Sequence, residues 1–371
     1  MNILQVNKLY YPAVGGIERA VQNIAEGLPE SYISRVLAAR PRGLGRHERH
    51  NSVDVFKASS LGILQSVPIA PSFPLRLRTA ARSTDIVHHH LPNPLGVLSQ
   101  LTAGTGDTPI VATYHSDIVR QSTALRVYQP ALHRFLDCVD RILVTSPPLL
   151  NHSEFLKPHT EKCTVVPLSV DLSSIDTEDP TPLDRSIEGP IILFVGRLNY
   201  YKGLENLVDA MSLIDATLLV VGDGNRRAAL EQRAHDHGVS DRIHFEGYVP
   251  DNDLPSYYNS ADLFVLPSVE PSEAFGIVQL EAMARGLPII NTSLPTGVPW
   301  VSQDGKTGLT VPPRNASALA DAISTLLVDD VRRRNYGRQA RARVESHFTR
   351  ERMLNDIQTV YENVAQSESF R

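Results

Sequence analysis

Ile191-Ile-Leu-Phe-Val-Gly-Arg-Leu-Asn-Tyr-Tyr-Lys-Gly203 is the stretch that decides the fold. Its first five residues are all apolar, as in a short strand buried on both faces. Gly196 ends that strand, and Arg197 and Lys202 follow in the loop at its carboxyl end. Just upstream, residues 171–190 are polar, acidic and proline-bearing, the composition of a linker. Downstream, apolar runs at 217–221, 243–245, 263–266 and 288–291 alternate with amphipathic stretches. That alternation predicts a parallel sheet with helices on both faces.

The same pattern precedes the linker. Residues 3–6 read as a buried strand, and Gly15-Gly16 as a turn. Ile17, Ala20, Val21, Ile24, Ala25 and Leu28 then recur at helical spacing. Further strands are expected at 86–88, 110–113, 142–144 and 164–166, and closing helices at about 316–328, 331–347 and 351–364. The chain therefore reads as α/β, with two doubly wound parallel-sheet domains in tandem. Ligands of such sheets sit beyond the carboxyl ends of the strands, so two facing domains would place a site in the cleft between them.

A length of 371 residues suits two domains, and 42% hydrophobic with 21% charged residues is ordinary for a soluble globular protein. A formal net charge of −5 gives no indication of general nucleic-acid binding. Cys138 and Cys163 make no disulfide framework, and their spacing matches no zinc site. Both are expected as buried thiols in a reducing compartment. The chain opens on a strand rather than a signal peptide, and no apolar run approaches a membrane span. A cytoplasmic protein is the expectation.

Chemistry concentrates in Pro271-Ser-Glu-Ala-Phe-Gly-Ile-Val-Gln-Leu-Glu281. Glu273 falls in a loop before a helix, and Glu281 lies further along that helix. Between them, the first N–H groups around Phe275, Gly276, Ile277 and Val278 lack intrahelical partners, and the helix dipole points the same way, which favours an anion. An anion site flanked by two hydroxyl-accepting carboxylates has the layout of a nucleotide sugar. A helix N-terminus with one capping acid and one surface acid has the same spacing. Arg197 and Lys202 supply positive charge that a departing diphosphate needs, though a pair of solvated cations has the same sequence. Gly222 and Gly224 in Val220-Val-Gly-Asp-Gly224 permit a tight turn and close backbone approach. His115, in Thr113-Tyr-His-Ser-Asp117, ends a strand and is placed to bond a sugar hydroxyl, or is a structural histidine.

Other patterns carry less. Asp251-Asn-Asp253 begins a short helix, where aspartate caps well. Gly305-Lys-Thr307 lacks the upstream glycine of a phosphate-binding loop. His88-His-His90 ends a strand, where neighbours point to opposite faces, so all three do not easily meet one metal. There is no Gly-x-Ser-x-Gly elbow, and no Gly-x-Gly-x-x-Gly after the first strand of either domain.

Together these segments resemble the large retaining glycosyltransferase family of the GT-B fold, family 4, over nearly the whole chain. The matching pieces are Gly15-Gly16-Ile-Glu, Thr-Tyr-His115-Ser, Val-Gly-Arg197-Leu with Lys202-Gly, Val-Gly-Asp-Gly224, Gly247-Tyr-Val249, and Glu273 to Glu281. The resemblance implies a Rossmann-like acceptor domain over 1–171 and a Rossmann-like nucleotide-sugar donor domain over 172–354. A last helix, about 355–371, would cross back to the first domain. It implies Arg197 and Lys202 on the donor diphosphate and Glu273 on hydroxyls of the transferred sugar. Glu281 would hold the ribose, backbone of Phe275, Gly276, Ile277 and Val278 would line sugar and phosphate, and Val249 would lie beside the base. Gly16, with Gly196 and Gly224, would let backbone approach the donor, and His115 would contact the sugar near the reacting centre.

It further implies retention of anomeric configuration with no metal or cofactor, the leaving phosphate taking the acceptor proton on the same face. The donor is a nucleotide-diphosphate sugar, GDP-linked by preference, with a UDP-sugar as the alternative. A nucleotide-sugar epimerase or phosphorylase of the same fold and a non-catalytic sugar-binding protein are the competing readings. The intact Glu273, Glu281, Arg197 and Lys202 argue against them. Leu294-Pro-Thr-Gly-Val-Pro-Trp300 departs from the family's frequent Gly-Gly-x-x-Glu, with the only tryptophan where the glutamate often falls. Its wording is similar to bacterial O-antigen and exopolysaccharide mannosyl- and rhamnosyltransferases.

Arg35, Arg40, Arg42, Arg46, Arg49 and Lys57 crowd one part of the first domain, and Phe73-Pro-Leu-Arg-Leu-Arg with Arg82 adds an apolar, basic stretch. Such a region docks on anionic lipid, or is a solvated loop with scattered arginines. A glycan or lipid-linked acceptor would make docking useful, and Arg120 is placed to meet an acceptor phosphate. A peripheral position on the inner face of the cell membrane follows from that reading.

Overall fold

A computed structural model of the chain describes residues 1–13, 15–118, 122–177, 183 and 187–368. Arg120 and much of the expected linker lie outside them. In chain order the first elements are β1 (Asn2–Val6), α1 (Gly16–Gly27), β2 (Ile33–Ala39), β3 (Arg46–His50), β4 (Val53–Ala58), β5 (Ile63–Leu64) and β6 (Val67–Pro68). Then come α2 (Phe73–Ala81), β7 (Ile86–Leu91), α3 (Pro94–Ala103), β8 (Ile110–Tyr114), α4 (Ser122–Cys138), β9 (Arg141–Val144), α5 (Pro147–His152) and β10 (Cys163–Val165). The next group is α6 (Leu172–Thr177), β11 (Ile191–Val195), α7 (Leu204–Ala210), β12 (Thr217–Val221), α8 (Arg227–Asp236), β13 (Ile243–Gly247), α9 (Leu254–Ser260) and β14 (Leu263–Leu266). The chain finishes with α10 (Ile277–Ala284), β15 (Ile289–Thr292), α11 (Val298–Val301), β16 (Gly308–Val311), α12 (Ala316–Val328), α13 (Asp330–His347) and α14 (Arg350–Glu368).

These elements form two compact units, residues 1–168 with 350–371, and residues 169–349. The first holds an eight-stranded sheet in the order β10-β9-β8-β7-β1-β2-β4-β3, parallel except for the β3–β4 pair. Its central strands are buried on both faces, with His88, His89 and His90 on β7 and Gln5 on β1 among the apolar residues, and one helical layer over them is α14. Met353, Leu354, Ile357, Val360, Tyr361 and Val364 of α14 pack on Ile3, Ile86, Val111 and Leu143 of four adjacent strands. The second unit holds a six-stranded, wholly parallel sheet, β13-β12-β11-β14-β15-β16, with β11 and β14 in the middle. Ile192, Phe194, Leu218, Val220, Leu263 and Val265 form one side of its core with α7 and α12.

Several elements differ from the sequence reading. Of the basic crowd at residues 35–57, Arg35 lies on β2, Arg46 and Arg49 on β3 and Lys57 on β4, with Arg40 and Arg42 in the loop between β2 and β3. Lys57 is buried there, paired with Glu48, which also pairs with Arg46, and it donates to the Tyr11 carbonyl. Residues 308–311 add a sixth strand to the second sheet, and residues 172–177 of the expected linker are helical. Asp253 is the N-cap of α9, yet its side chain bonds no helix N–H. Cys138 is exposed at the end of α4 and Cys163 half-buried on the edge strand β10, so neither is a fully buried thiol. Among the described residues no helix is long and apolar enough to cross a membrane.

Candidate functional site

In the second unit the loops after β11, β12 and β14 pack backbone against backbone. Gly196 N–H donates to Val221 O at 2.9 Å and Leu198 N–H to Asp223 O at 2.9 Å. A β-carbon on Gly222 would meet Gly196 O at 2.1 Å, and one on Gly224 would meet Leu198 O at 2.4 Å. After Gly196, at φ +150°, Arg197 is exposed, and residues 200–202 make one 3-10 turn. Gly203 ends that turn in the left-handed region, and Val269 N–H bonds Tyr201 O at 2.8 Å. The turn is thereby tied to the loop after β14.

This tie brings Lys202 to Glu273. The ammonium lies 2.6 Å from Glu273 Oε2, with the two side chains only 8% and 11% exposed. Ser268 Oγ donates to the same oxygen at 3.1 Å. Burial works against the Lys202 charge, but Glu273, aided by Tyr201, outweighs it and the lysine pKa is raised. The lysine is therefore a charged donor at neutral pH, with N–H groups beyond the one that meets Glu273.

Glu273 precedes α10 by one tight turn. Gly276 caps that helix at φ +70°, with Leu266 Cδ2 2.5 Å from where its β-carbon would be. Ile277 and Val278 are the first residues of the helix, whose leading N–H groups have no intrahelical acceptor. Phe275 is buried and turns its ring toward Trp300 and Phe348. The single tryptophan thus packs behind the segment, with Arg343 over its ring. Glu281, half-buried further along α10, accepts from the Tyr258 hydroxyl at 2.7 Å. Val249 is half-buried just beyond β13.

Two residues that sequence reasoning missed hold this helix end. Gln279 Nε2 donates to the carbonyls of Phe275 at 2.8 Å and Val298 at 3.2 Å. Asn291 Nδ2 donates to Gln279 Oε1 and to the carbonyls of Val298 and Ser302. The legible signal was a polar residue inside an otherwise apolar run, Ile-Val-Gln-Leu and Ile-Ile-Asn-Thr.

In the first unit His115 follows β8, and its N–H bonds Leu91 O at 3.0 Å. The ring is 5% exposed, with Nε2 3.2 Å from His90 Nδ1 and Nδ1 without a partner. His88 and His90, expected only as strand residues, both turn into the layer under α14. His88 bonds Tyr361 and Thr113, and His90 bonds Gln5. His89 points to the other face, toward Gln100 and Phe135. Burial lowers the pKa of His88 and His115 to about 3 and of His89 to about 4, and drives His90 well below its ordinary value. All four are neutral at pH 7. Gly16 opens α1, exposed, and a β-carbon there would meet nothing within 4 Å.

Residues 14–174 match the model of Glycosyltransferase Family 4, and residues 177–343 that of Glycosyl transferases group 1. O-antigen chain mannosyltransferase C of Escherichia coli is 31% identical, over 100% of both chains. D-rhamnosyltransferase WbpZ of Pseudomonas aeruginosa is 33% identical, over 94% of this chain and 92% of its own. The structure of Anabaena HepE in complex with UDP-glucose superposes with a TM-score of 0.76 at 20% identity, covering 98% of this chain and 100% of that one. Two Rossmann-like parallel-sheet units carrying those sequences show that the chain belongs to the GT-B glycosyltransferases of family 4.

Proposed function

We propose that this glycosyltransferase moves a hexose, mannose or rhamnose from a GDP-linked donor, to a glycan or lipid-linked saccharide in bacterial surface polysaccharide synthesis. The observation that carries the reading is the buried Lys202–Glu273 pair beside the N-terminus of α10. Lys202, Arg197 and the leading N–H groups of α10 offer positive charge and donors to a diphosphate, and Glu273 and Glu281 offer acceptors to hydroxyls. Backbone of Gly196, Gly224, Phe275, Gly276, Ile277 and Val278 lines the donor, and Val249 lies by the base. Gly16 does the same on the first unit, where His115 accepts from a sugar hydroxyl.

The acceptor oxygen attacks the anomeric carbon on the face from which the diphosphate departs. The carbon–phosphate-oxygen bond breaks, and the acceptor proton passes to the leaving phosphate oxygen, so configuration is retained. Charge on the leaving group is met by Lys202 and Arg197, so no metal enters the step. The mannosyl- and rhamnosyltransferase relatives support the donor sugar. A UDP-sugar is the second reading, favoured by the UDP-glucose in the HepE structure.

Thermal shift against GDP-, UDP-, ADP- and dTDP-linked sugars in EDTA tests this, because a ligand of the folded state raises apparent stability by mass action. Stabilisation by GDP-mannose or GDP-rhamnose is the expected result, and stabilisation by UDP-sugars alone selects the second reading. Full transfer by Glu273→Ala would remove the proposed site.

For a lipid-linked acceptor, the supporting feature is the β5–β6 hairpin. Leu61, Ile63 and Leu64 are exposed on it, beside the loop of Leu44, which bridges to it through Gly43 and Ser60. Exposed Arg42, Arg46, Arg76 and Arg78 flank these apolar side chains in sequence, without the buried Lys57. Binding to anionic liposomes, weakened by salt and by Leu64→Asp, is the expected outcome. No binding at low salt removes the membrane reading and leaves the transfer reaction standing.

A further inference from the structure

The polar side chains under α14 form one continuous chain of hydrogen bonds. His115 Nε2 meets His90 Nδ1 at 3.2 Å, and His90 Nε2 meets Gln5 Oε1 at 2.8 Å. Gln5 Nε2 meets the Tyr361 hydroxyl at 3.1 Å, which meets His88 Nδ1 at 2.6 Å, and His88 Nε2 meets Thr113 Oγ1 at 2.7 Å. Every member is at most 5% exposed. The rings of His88 and His90 stack at 4.4 Å and those of His90 and His115 at 5.4 Å.

Donors and acceptors along this chain determine one another. A neutral imidazole has one N–H and one lone pair, so a bond made at one nitrogen decides what the other nitrogen offers. With the Gln5 amide oxygen toward His90 and its nitrogen toward Tyr361, His90 Nε2 carries the proton and His90 Nδ1 is the acceptor; the reverse amide orientation would reverse every bond in the series and put the protons on Nδ1. His115 Nε2 must then be the donor, which leaves a lone pair on His115 Nδ1. At the other end, Gln5 N–H donates to Tyr361, Tyr361 O–H donates to His88 Nδ1, and His88 Nε2–H donates to Thr113. No bond in the series is donor-to-donor or acceptor-to-acceptor. Burial keeps the three rings neutral, so no extra proton disturbs the order.

The terminal atom, His115 Nδ1, is buried and has no partner. We infer that Gln5, His90 and Tyr361 are positioning residues that hold His115 in its Nε2–H tautomer, so that Nδ1 receives a hydrogen-bond donor, a sugar hydroxyl, and rejects phosphate and carbonyl oxygens. This rests on the proposed place of His115 in substrate binding, but the relay is a property of the protein alone. It assigns work to α14 as well. Tyr361 reaches the ring through Gln5 and His90, although it lies 246 positions further along the chain.

The test is a long-range proton–nitrogen correlation spectrum of the full-length protein labelled with 15N-histidine, without ligand, signals assigned by His88→Gln, His90→Gln and His115→Gln. The expected result is that His88, His90 and His115 are all protonated on Nε2 and bare on Nδ1. A proton on Nδ1 of any of the three overturns the relay. In Gln5→Met and Tyr361→Phe, His115 should become a mixture of tautomers and kcat/KM for the donor should fall about five- to tenfold. A folded variant of either kind with an unchanged His115 tautomer also overturns it. Should His115→Ala transfer sugar at the full rate while the spectrum is as expected, the relay stands and the role of His115 in substrate binding fails.

Discussion

A β-carbon added at Gly203 would meet Pro267 O at 2.2 Å and Val269 Cγ1 at 2.6 Å, at a backbone φ of +66°. The left-handed conformation alone costs a non-glycine residue about 1–3 kcal/mol, so Gly203→Ala should destabilise the second unit by at least that much in urea. Gly16 is the contrast, since nothing lies within 4 Å of an added β-carbon. Gly16→Ala should leave stability unchanged and lower transfer, if backbone approach of the donor is what glycine provides there. At Lys202 the two effects coincide. Lys202→Ala strands the buried Glu273 carboxylate, at about 3–5 kcal/mol of stability. It also removes a donor to the leaving diphosphate, and kcat should fall about 10²–10³-fold. Glu273→Gln keeps the shape but leaves the buried Lys202 ammonium without its counter-charge, so transfer and melting temperature should both fall, and an unchanged melting temperature would mean that Glu273 is not what sustains the Lys202 charge. Glu273, Lys202 and Gly203 were legible because loop residues at strand ends have few structural reasons to be these types. Ser268 was not, since the partner of a serine is decided by the loop it faces.

At the scale of elements, β7 and β8 place four buried histidines in one unit, and their pKa values predict its acid response. Each is depressed in the folded chain relative to an unfolded value near 6.5. Between those limits the unfolded chain binds more protons, so stability rises with pH there and is lost as pH falls below about 6.5. Each such histidine contributes up to about 1.4 kcal/mol per pH unit. Chemical denaturation of the first unit between pH 7 and 5 should show this loss. His89→Gln, outside the relay under α14, should make the slope shallower by up to one proton, and an unchanged slope would mean that His89 is protonated in the folded state. The strands themselves were readable from continuous apolar runs. β2, β3 and β4 were not, because Arg35, Lys57 and the charged β3 break the apolar pattern. Lys57 is tolerated inside because Glu48, on the neighbouring antiparallel strand, pairs with it and the Tyr11 carbonyl accepts from it.

At the scale of the whole molecule, residues 169–349 are continuous in sequence and have their own parallel sheet and core, whereas the first unit is completed only by α14. A fragment of residues 169–349 should therefore fold cooperatively alone and bind the donor nucleotide. A chain truncated after Thr349 should lose amide protection across β1, β7 and β8, because six buried side chains of α14 leave the sheet. At about 1.5–3 kcal/mol each, their loss exceeds the stability of most domains. Retained protection in the truncated chain would show that α14 is dispensable to the first sheet.

The sequence by itself determined the two α/β units and most of their strands, and it singled out Lys202, Glu273 and Glu281 as candidates. Each of these is encoded locally, by apolar periodicity or by a charged residue beside a glycine turn. Only the tertiary structure decided that Lys202 and Glu273 meet, that Lys57 is buried, and that Gln5, His88, His90, His115 and Tyr361 share one hydrogen-bond chain. Those partners are brought together by parallel strand order and a returning helix. A hydrogen bond depends on distance and direction in space, and neither is written in the separation of two residues along a chain.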